Sequence, residues 1–201
     1  MWRPAAAFFL SGLAALCSSV DGPGHEHPAP GTSIVRFAQL DKGVYKGSTP
    51  RNDADFAFLE SKHIRYILNL RFLPFLNAKE KRKARQHGIT YLSVFMNASP
   101  LAPSAKHVNH ILRTIDDPCY QPIYFHCDIG RDRTSLVATL YEMYFHNLPE
   151  SDATRRMKEY GFKDSWTLRG LKKYLRKYSI RPESLNPESL NKGEHSCAST
   201  S

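Results

Sequence analysis

Acidic residues and metal-binding patterns are scarce in this sequence of 201 residues. Its 19 acidic residues are outnumbered by 28 lysines and arginines, which gives a formal charge of +9. Such a surplus favours anionic partners, including polyphosphorylated small molecules, acidic proteins, nucleic acid and anionic membranes. The sequence has no zinc-finger spacing, RNA-recognition signature or recognition-helix pattern, which argues against nucleic acid. Its nine histidines lack the spacing of metal ligands, so we expect no metal and no cofactor.

The N-terminal segment has the composition of an export signal. Arg3 precedes an apolar stretch at 5–16, which is too short to span a bilayer, and small residues suited to cleavage follow at 17–19. We therefore predict a signal peptide at 1–19 and export, to the periplasm of a bacterium. An unstructured apolar terminus is the alternative. Lipid attachment at Cys17 is less favoured, because the residue before it is a leucine.

The rest of the chain divides by composition into three parts. Residues 20–32 are rich in proline, glycine and histidine and predict a linker. Residues 33–179 have the apolar periodicity of one globular domain, and the polar residues 180–201 predict a flexible C-terminal tail.

Cysteines are few, and their number is informative. Once Cys17 is assigned to the signal, Cys119, Cys127 and Cys197 remain, and an odd number in an exported chain predicts a free thiol. A buried strand predicted between Cys119 and Cys127 would hold their Cα atoms roughly 20 Å apart, whereas a disulfide needs about 6 Å. We therefore predict that these two cysteines are not bonded to each other.

Strand and helix patterns alternate through the domain. This alternation predicts an α/β fold with a central, mostly parallel sheet flanked by helices, and ligands that bind beyond the carboxyl ends of the strands. Asn77 is predicted to cap the second helix. The predicted strands are 34–37, 43–45, 66–70, 89–94 and 123–125, and the predicted helices are 53–62, 78–87, 104–117, 134–145, 151–161 and 166–178.

One predicted strand leads directly into the segment HCDIGRDRTS at 126–135 and then into a helix. A helix N-terminus offers unpaired N–H groups and the positive end of the helix dipole. Gly130 allows the backbone to turn where a Cβ would clash, so that successive amides can form an anion nest. The residues of this predicted phosphate-binding loop are Asp128, Ile129, Gly130 and Arg131.

The side chains around that loop predict its chemistry. The planar guanidinium of Arg133 can hold two phosphate oxygens, and the same positive field favours the thiolate of Cys127. Attack by the thiolate would form a cysteinyl-phosphate that water then hydrolyses. We expect the Thr134 hydroxyl to donate to the sulfur as it leaves, and His126 to order the loop backbone rather than act as a base.

The loop sequence resembles the His-Cys-x5-Arg-Ser/Thr signature of the protein tyrosine phosphatase superfamily. The segments VYKGSTP, YILNLR, IYFHC and MKEYGF resemble its compact, atypical dual-specificity branch, and the likeness covers about residues 35–178. This resemblance implies a cysteine-phosphatase fold, with 33–179 as the phosphatase domain. It also implies phosphoric monoester hydrolase activity.

The resemblance leaves the general acid unassigned. Related enzymes supply an aspartate about thirty residues before the cysteine, but here the segment FMNASPLAPS has no carboxylate and Asn97 stands near that place. Asp132 is the acid we favour, since the D-R-T-S ending resembles myotubularin-type lipid phosphatases. Alternatively, Asp132 caps the helix or pairs with a neighbouring base. Asp53 is a weaker candidate.

Several cations are predicted to surround the loop, and we call them the basic rim. A ring of cations around one phosphate site suits a ligand with several phosphates, so we favour an inositol polyphosphate and an exported, phytase-like role. A tyrosine or dual-specificity protein phosphatase is the first alternative, and a non-catalytic phospholigand-binding module is the second. The basic rim consists of Arg71, Lys79, Arg82, Lys46 and Lys106, and further cations expected near the loop are Arg51, Lys81, Lys83, His107 and Arg131.

Overall fold

Strands and helices alternate along the part of the chain that the computed structural model describes, residues 30–71, 74–97, 102–163, 165 and 168–177. The predicted signal peptide, most of the linker and the tail lie outside these residues. The strands are β1 (Ala38–Asp41), β2 (Val44–Gly47), β3 (Tyr66–Asn69), β4 (Thr90–Ser93) and β5 (Ile123–His126). The helices are α1 (Asp53–Ser61), α2 (Pro74–Gln86), α3 (Ala105–Asp116), α4 (Asp132–Phe145), α5 (Glu150–Glu159) and α6 (Arg169–Lys177).

The five strands form one sheet in the order β1-β2-β5-β3-β4. Only β1 runs antiparallel to its neighbour, and the other pairings are parallel, which confirms the predicted mostly parallel α/β sheet. All four residues of β5 are buried, as expected for a central strand covered on both faces.

Two apolar layers cover the sheet. Ile123 and Phe125 of β5 pack into the larger layer, which includes buried residues of α3, α4, α5 and α6. Tyr124 points to the opposite face and packs with residues of α1 and α2, because successive strand residues face opposite sides. Ten of the fourteen residues of α4 are buried, so this helix is central in the larger layer.

The structure corrects several of the predicted elements and boundaries. Residues 34–37 do not form a strand, because Arg36 has a left-handed φ of 56° that interrupts an extended chain. Asn77 is not a cap, since α2 begins at Pro74, and proline is tolerated in the first turn of a helix. Helix α4 begins at Asp132, two residues earlier than predicted.

The cysteines behave as the sequence predicts. Cys127 is a free, buried thiol, whereas Cys119 is disulfide-bonded, so the two are not bonded to each other. In the described part of the chain, no helix combines the length and the apolar character needed to cross a membrane.

Candidate active site

The carboxyl ends of three parallel strands meet at one edge of the sheet. The last residue of β2, Gly47, and the last residue of β3, Asn69, both lie opposite His126 at the end of β5. Cys127 follows directly, and the chain then turns into α4. We call residues 127–133 the phosphate loop. Its position is the one where open parallel sheets bind ligands.

The carbonyl groups of the phosphate loop point away from the space that the loop encloses, and their hydrogen bonds hold the loop in its conformation. The carbonyl of Cys127 accepts from the Thr49 hydroxyl at 2.9 Å, and that of Asp128 accepts from the Thr49 amide at 3.1 Å. The carbonyl of Ile129 accepts from Arg36 Nη1 at 3.0 Å. In a trans peptide the C=O and the following N–H point in opposite directions. The amides of residues 128–130 therefore point to the other side, where they can form an anion nest.

The thiol of Cys127 lies at the base of this loop. Cys127 is only 2% exposed, and its amide donates to the Thr134 hydroxyl at 2.9 Å. Since that hydroxyl accepts from the amide, its own proton can still be donated elsewhere. Helix α4 begins at Asp132, in the last residues of the loop, and directs the unpaired N–H groups of its first turn toward the base of the loop.

Arg133 lies in the first turn of α4. Its Nη1 donates to the Leu70 carbonyl at 3.4 Å, and the Leu70 amide donates to the carbonyl of His126 at 2.9 Å. The guanidinium is thereby placed at the ends of β3 and β5. Its buried Nε has no hydrogen-bond partner among the described residues, and this N–H is suited to donate to a bound oxyanion.

A buried polar cluster supports the residue before the cysteine. His126 is fully buried, with Nδ1 2.9 Å from the Cys127 carbonyl and Nε2 2.7 Å from Glu80 Oε1. Arg71 binds the other oxygen of Glu80, and its N and Nε both donate to the side-chain oxygen of Asn69. Sequence reasoning did not identify Glu80. The only signal was that it is the single acid in the basic helix α2.

A basic cavity of about 220 Å³ lies beside the phosphate loop. Asp128 from the loop is one of its walls, and Arg51 and Arg71 approach this carboxylate to 3.1 and 3.7 Å. Four cations thus share one small concave surface next to the loop. Its lining residues are Thr49, Pro50, Arg51, Arg71, Lys79, Glu80, Lys83 and Asp128.

Only some residues of the predicted basic rim line the basic cavity. Arg71 and Lys79 line the basic cavity, although Arg71 is buried rather than solvated. Arg82 and Lys106 are exposed residues outside the lining of that cavity. Because α2 begins at Pro74 rather than at residue 78, Lys79 and Arg82 also lie further from its N-terminus than the sequence predicts.

Lys46 is not a rim residue. It is completely buried, with Nζ 4.4 Å from the centre of the Tyr160 ring and 3.3 Å from the Arg36 carbonyl, to which it donates. Burial and, to a lesser degree, the nearby Arg36 charge lower the pKa of Lys46 to about 7, against the opposing effects of Cys127 and Glu142. The expectation that Lys46 contacts substrate is therefore wrong in this structure.

The candidate acids are both paired with cations. Asp132 begins α4, and Arg131 binds its two oxygens through Nε at 2.9 Å and Nη2 at 3.1 Å. This hydrogen bond raises the pKa of Arg131. Asp53 pairs with Lys83, and that hydrogen bond lowers the pKa of Asp53. Among the described residues, no three His, Cys, Asp or Glu residues are grouped to hold a metal ion.

In this fold the central strand β5 leads directly to a cysteine at the base of an anion nest. This arrangement is characteristic of the cysteine phosphatases. The profile of the tyrosine phosphatase family matches residues 33–190, well over half of the chain. The chain therefore belongs to the tyrosine phosphatase family and is a phosphoric monoester hydrolase. Comparison with curated protein sequences gives no match.

Solved structures of phosphatases share the fold. The core catalytic domain of the PP-IP phosphatase SIW14 from S. cerevisiae, in complex with citrate, is 21% identical over 71% of this chain and 85% of that chain, with a TM-score of 0.60. TpbA of P. aeruginosa, in complex with phosphotyrosine, is 19% identical over 79% and 91%, with a TM-score of 0.62. Tk-PTP in its active form is 18% identical over 73% and 98%, with a TM-score of 0.58. At these identities the similarity concerns the fold.

Proposed function

We propose that this phosphatase uses Cys127 as its nucleophile and hydrolyses inositol polyphosphates. The observation that carries the substrate assignment is the basic cavity, where four cations adjoin the phosphate loop. A phosphotyrosine side chain brings one phosphate, which the loop alone can hold. A polyphosphorylated ring brings further phosphates within reach of Arg51, Arg71, Lys79 and Lys83.

The reaction takes place in two balanced steps. The Cys127 sulfur attacks phosphorus, an S–P bond forms, and the P–O bond to the ring breaks as the leaving oxygen takes a proton. Water then attacks phosphorus, the S–P bond breaks, and the thiolate and inorganic phosphate are released. Arg133 and the loop amides hold the phosphoryl oxygens throughout, while the Thr134 hydroxyl donates to the departing sulfur.

We assign protonation of the leaving oxygen to Asp132. The loop has two carboxyl groups: Asp128 faces Arg51 and Arg71 in the basic cavity, whereas Asp132 begins α4 and its side chain is 14% exposed. Arg131 binds both oxygens of Asp132, so acid catalysis requires Arg131 to turn from Asp132 toward a substrate phosphate. The same carboxylate can then take the proton of the attacking water.

A substrate panel tests the assignment. Phosphate release from phytate, phosphoinositides, phosphopeptides and p-nitrophenyl phosphate should favour the inositol polyphosphates, and Cys127→Ser should abolish all activity. Lys79→Gln should raise KM for phytate about 10-fold with little effect on p-nitrophenyl phosphate, since a hydrogen bond to a charged group contributes about 1.5–3 kcal/mol. Arg82→Gln, which removes an exposed cation of the same helix outside the cavity, is the matched control.

Two outcomes would replace this proposal. Preferred hydrolysis of phosphotyrosine peptides would indicate a protein phosphatase, in line with the phosphotyrosine bound in the structure of TpbA. The absence of phosphate release from every substrate would favour a non-catalytic phospholigand-binding module.

We also propose that the protein is exported. The signal-like composition at 1–19 supports this, and so does the disulfide at Cys119, because disulfides persist in oxidising compartments. Cell fractionation with N-terminal sequencing of the mature chain tests it. Recovery of the full-length chain in the reducing cytoplasm would contradict export.

A further inference from the structure

Arg36 has a backbone conformation that an arginine disfavours. Its φ of 56° is left-handed, which strains any residue that carries a Cβ. Among the described residues other than glycine, His63 and Asn147 share this conformation. Those two directly follow the ends of helices α1 and α4, where a left-handed residue commonly terminates a helix. Arg36 instead precedes strand β1 and terminates no helix, so its strain needs another explanation.

Contacts on both sides of Arg36 hold its backbone in this conformation. The Val35 amide donates to the Ser48 hydroxyl at 2.9 Å, and the Ser48 amide donates to the Val35 carbonyl at 3.1 Å. The carbonyl of Arg36 accepts from Lys46 Nζ at 3.3 Å, and Phe37 is fully buried in the apolar layer under α1 and α2. A strained residue persists only where its surroundings fix it in this way, and such residues cluster at functional sites.

The guanidinium of Arg36 contacts the outer side of the phosphate loop. Its Nη1 donates to the Ile129 carbonyl at 3.0 Å. The turn after α5 packs on the same side chain, since a Cβ added to Gly161 would lie 2.8 Å from Arg36 Nε and 3.1 Å from its Cδ. The glycine at 161 therefore leaves the room that the Arg36 side chain occupies.

The Ile129 carbonyl belongs to the same peptide unit as the Gly130 amide. Because C=O and N–H point in opposite directions in a trans peptide, a carbonyl held outward directs the Gly130 N–H into the anion nest. Thr49 holds the two preceding carbonyls of the loop, and Arg36 holds this third one. The side chain of Arg36 thus completes the set of contacts that orients three consecutive loop amides.

We propose that Arg36 is a positioning residue for phosphate binding. Its left-handed backbone directs the guanidinium to the Ile129 carbonyl, and that hydrogen bond keeps the Gly130 N–H aimed at a bound phosphoryl oxygen. This inference rests on the proposed use of the phosphate loop but not on the choice of substrate. An asparagine at position 36 would adopt the same backbone conformation with less strain, but its much shorter side chain would not reach the loop.

Arg36→Asn separates a role in phosphate binding from a role in stability. Because asparagine tolerates the left-handed conformation, the free energy of unfolding in urea should stay the same or rise. The inhibition constant of inorganic phosphate against p-nitrophenyl phosphate hydrolysis should rise about 5-fold, as for the loss of one hydrogen bond. His63→Asn makes the same exchange at the end of α1, and this matched control should leave the inhibition constant unchanged.

High salt distinguishes positioning from simple attraction between charges. In about 1 M salt the Debye length is about 3 Å, so a long-range effect of the lost charge would be screened. The difference in inhibition constant between Arg36→Asn and the wild type should persist there. A difference that disappears in high salt would overturn the proposal, and so would equal inhibition constants at low salt.

The outcomes separate this inference from the proposed function. A preference for phosphotyrosine peptides would change the substrate and leave the role of Arg36 intact, whereas a wild type that inorganic phosphate does not inhibit would count against the phosphate loop itself. If Arg36→Asn does not fold, nitrogen-15 NMR of the wild type decides. Separate Nη signals from a guanidinium with hindered rotation, together with a Gly130 amide that shifts when phosphate binds, support the proposal. A freely rotating Arg36 guanidinium or an unshifted Gly130 amide overturns it.

Discussion

Gly130 and Gly47 are in such close contact that a Cβ at position 130 would lie 2.6 Å from both the carbonyl carbon and the carbonyl oxygen of Gly47. Gly130 also has a φ of 65°, a left-handed conformation that side chains destabilise. At Gly130 the backbone of the phosphate loop therefore lies directly against the backbone at the end of β2. The backbone at Gly47 cannot retreat, because the Tyr124 hydroxyl packs against it and donates to the Ser48 carbonyl at 2.5 Å.

Gly130→Ala should impair phosphate binding far more than it destabilises the chain. The new methyl group would push the loop away from β2 and turn its amides out of the nest, so we expect kcat/KM to fall at least about 100-fold, as for a lost oxyanion donor. Gly88→Ala is the matched control, since Gly88 has a φ of 69° but a Cβ added to it would meet no atom within 4 Å. In urea unfolding, Gly88→Ala should lose about 1 kcal/mol from left-handed strain, and Gly130→Ala should lose more because its methyl group also meets the Gly47 backbone. Equal activity in the two variants would contradict the contact argument.

Local signals explain why the site itself could be predicted. The apolar strand at 123–125, the glycine at 130 and the helix that follows are adjacent in sequence, so each constrains the next. The structure has the same order, with β5, the phosphate loop and α4 in succession. Asp132 and Arg131 could be paired for the same reason, because they are neighbours in the chain.

Contacts made by packing could not be predicted. Glu80 and His126 are far apart in the sequence, and their contact depends on which side of α2 faces β5. Lys46 looked like a rim residue because it follows a strand pattern near a turn, yet the end of α5 brings Tyr160 over its amine. The strand expected at 34–37 failed for a conformational reason, the left-handed Arg36, that apolar periodicity does not report.

Asp132→Asn tests the assigned acid. An alkyl phosphate has a poor leaving group that needs a proton, whereas p-nitrophenolate leaves without one. If Asp132 protonates the leaving oxygen, kcat should fall about 100-fold or more for an alkyl phosphate and only a few-fold for p-nitrophenyl phosphate. Comparable losses on both substrates would show that Asp132 serves only to pair with Arg131.

Lys46→Met should change how stability depends on pH. Below about pH 7 the amine is protonated in both the folded and the unfolded chain, so burial of the charge destabilises the fold fully. Between about pH 7 and 10.5 the unfolded chain holds a proton at Lys46 that the folded chain has lost. The free energy of unfolding of the wild type therefore rises with pH over this range. A methionine at position 46 does not titrate, so the variant lacks this dependence of stability on pH.

The advantage of Lys46→Met over the wild type in unfolding free energy should therefore be largest near pH 6. It should shrink by a few kcal/mol as the pH rises toward 10. Urea unfolding at pH 6, 8 and 10 measures it. A difference between the two proteins that stays constant with pH would mean that the Lys46 amine titrates as in solution.

Asp55 and Asp53 lie two residues apart in α1 but should differ greatly in their contribution to stability. Asp55 is fully buried and accepts from the Ser33 amide and hydroxyl at 2.5 and 2.6 Å, and from the amides of Arg51 and Asn52 at 2.6 and 3.1 Å. It thus ties the start of the domain to the loop that leads into the basic cavity. The Asp53 side chain is 77% exposed and pairs with Lys83 at the surface.

Asp55→Ala should lower the free energy of unfolding by about 2–3 kcal/mol, because it leaves several buried donors without an acceptor. The lost tether to Arg51 should also raise KM for a polyphosphorylated substrate. Asp53→Ala, the matched control, should leave urea unfolding nearly unchanged, since a single exposed ion pair contributes little. Equal destabilisation by the two substitutions would mean that the Asp55 network does not hold the N-terminal segment in place.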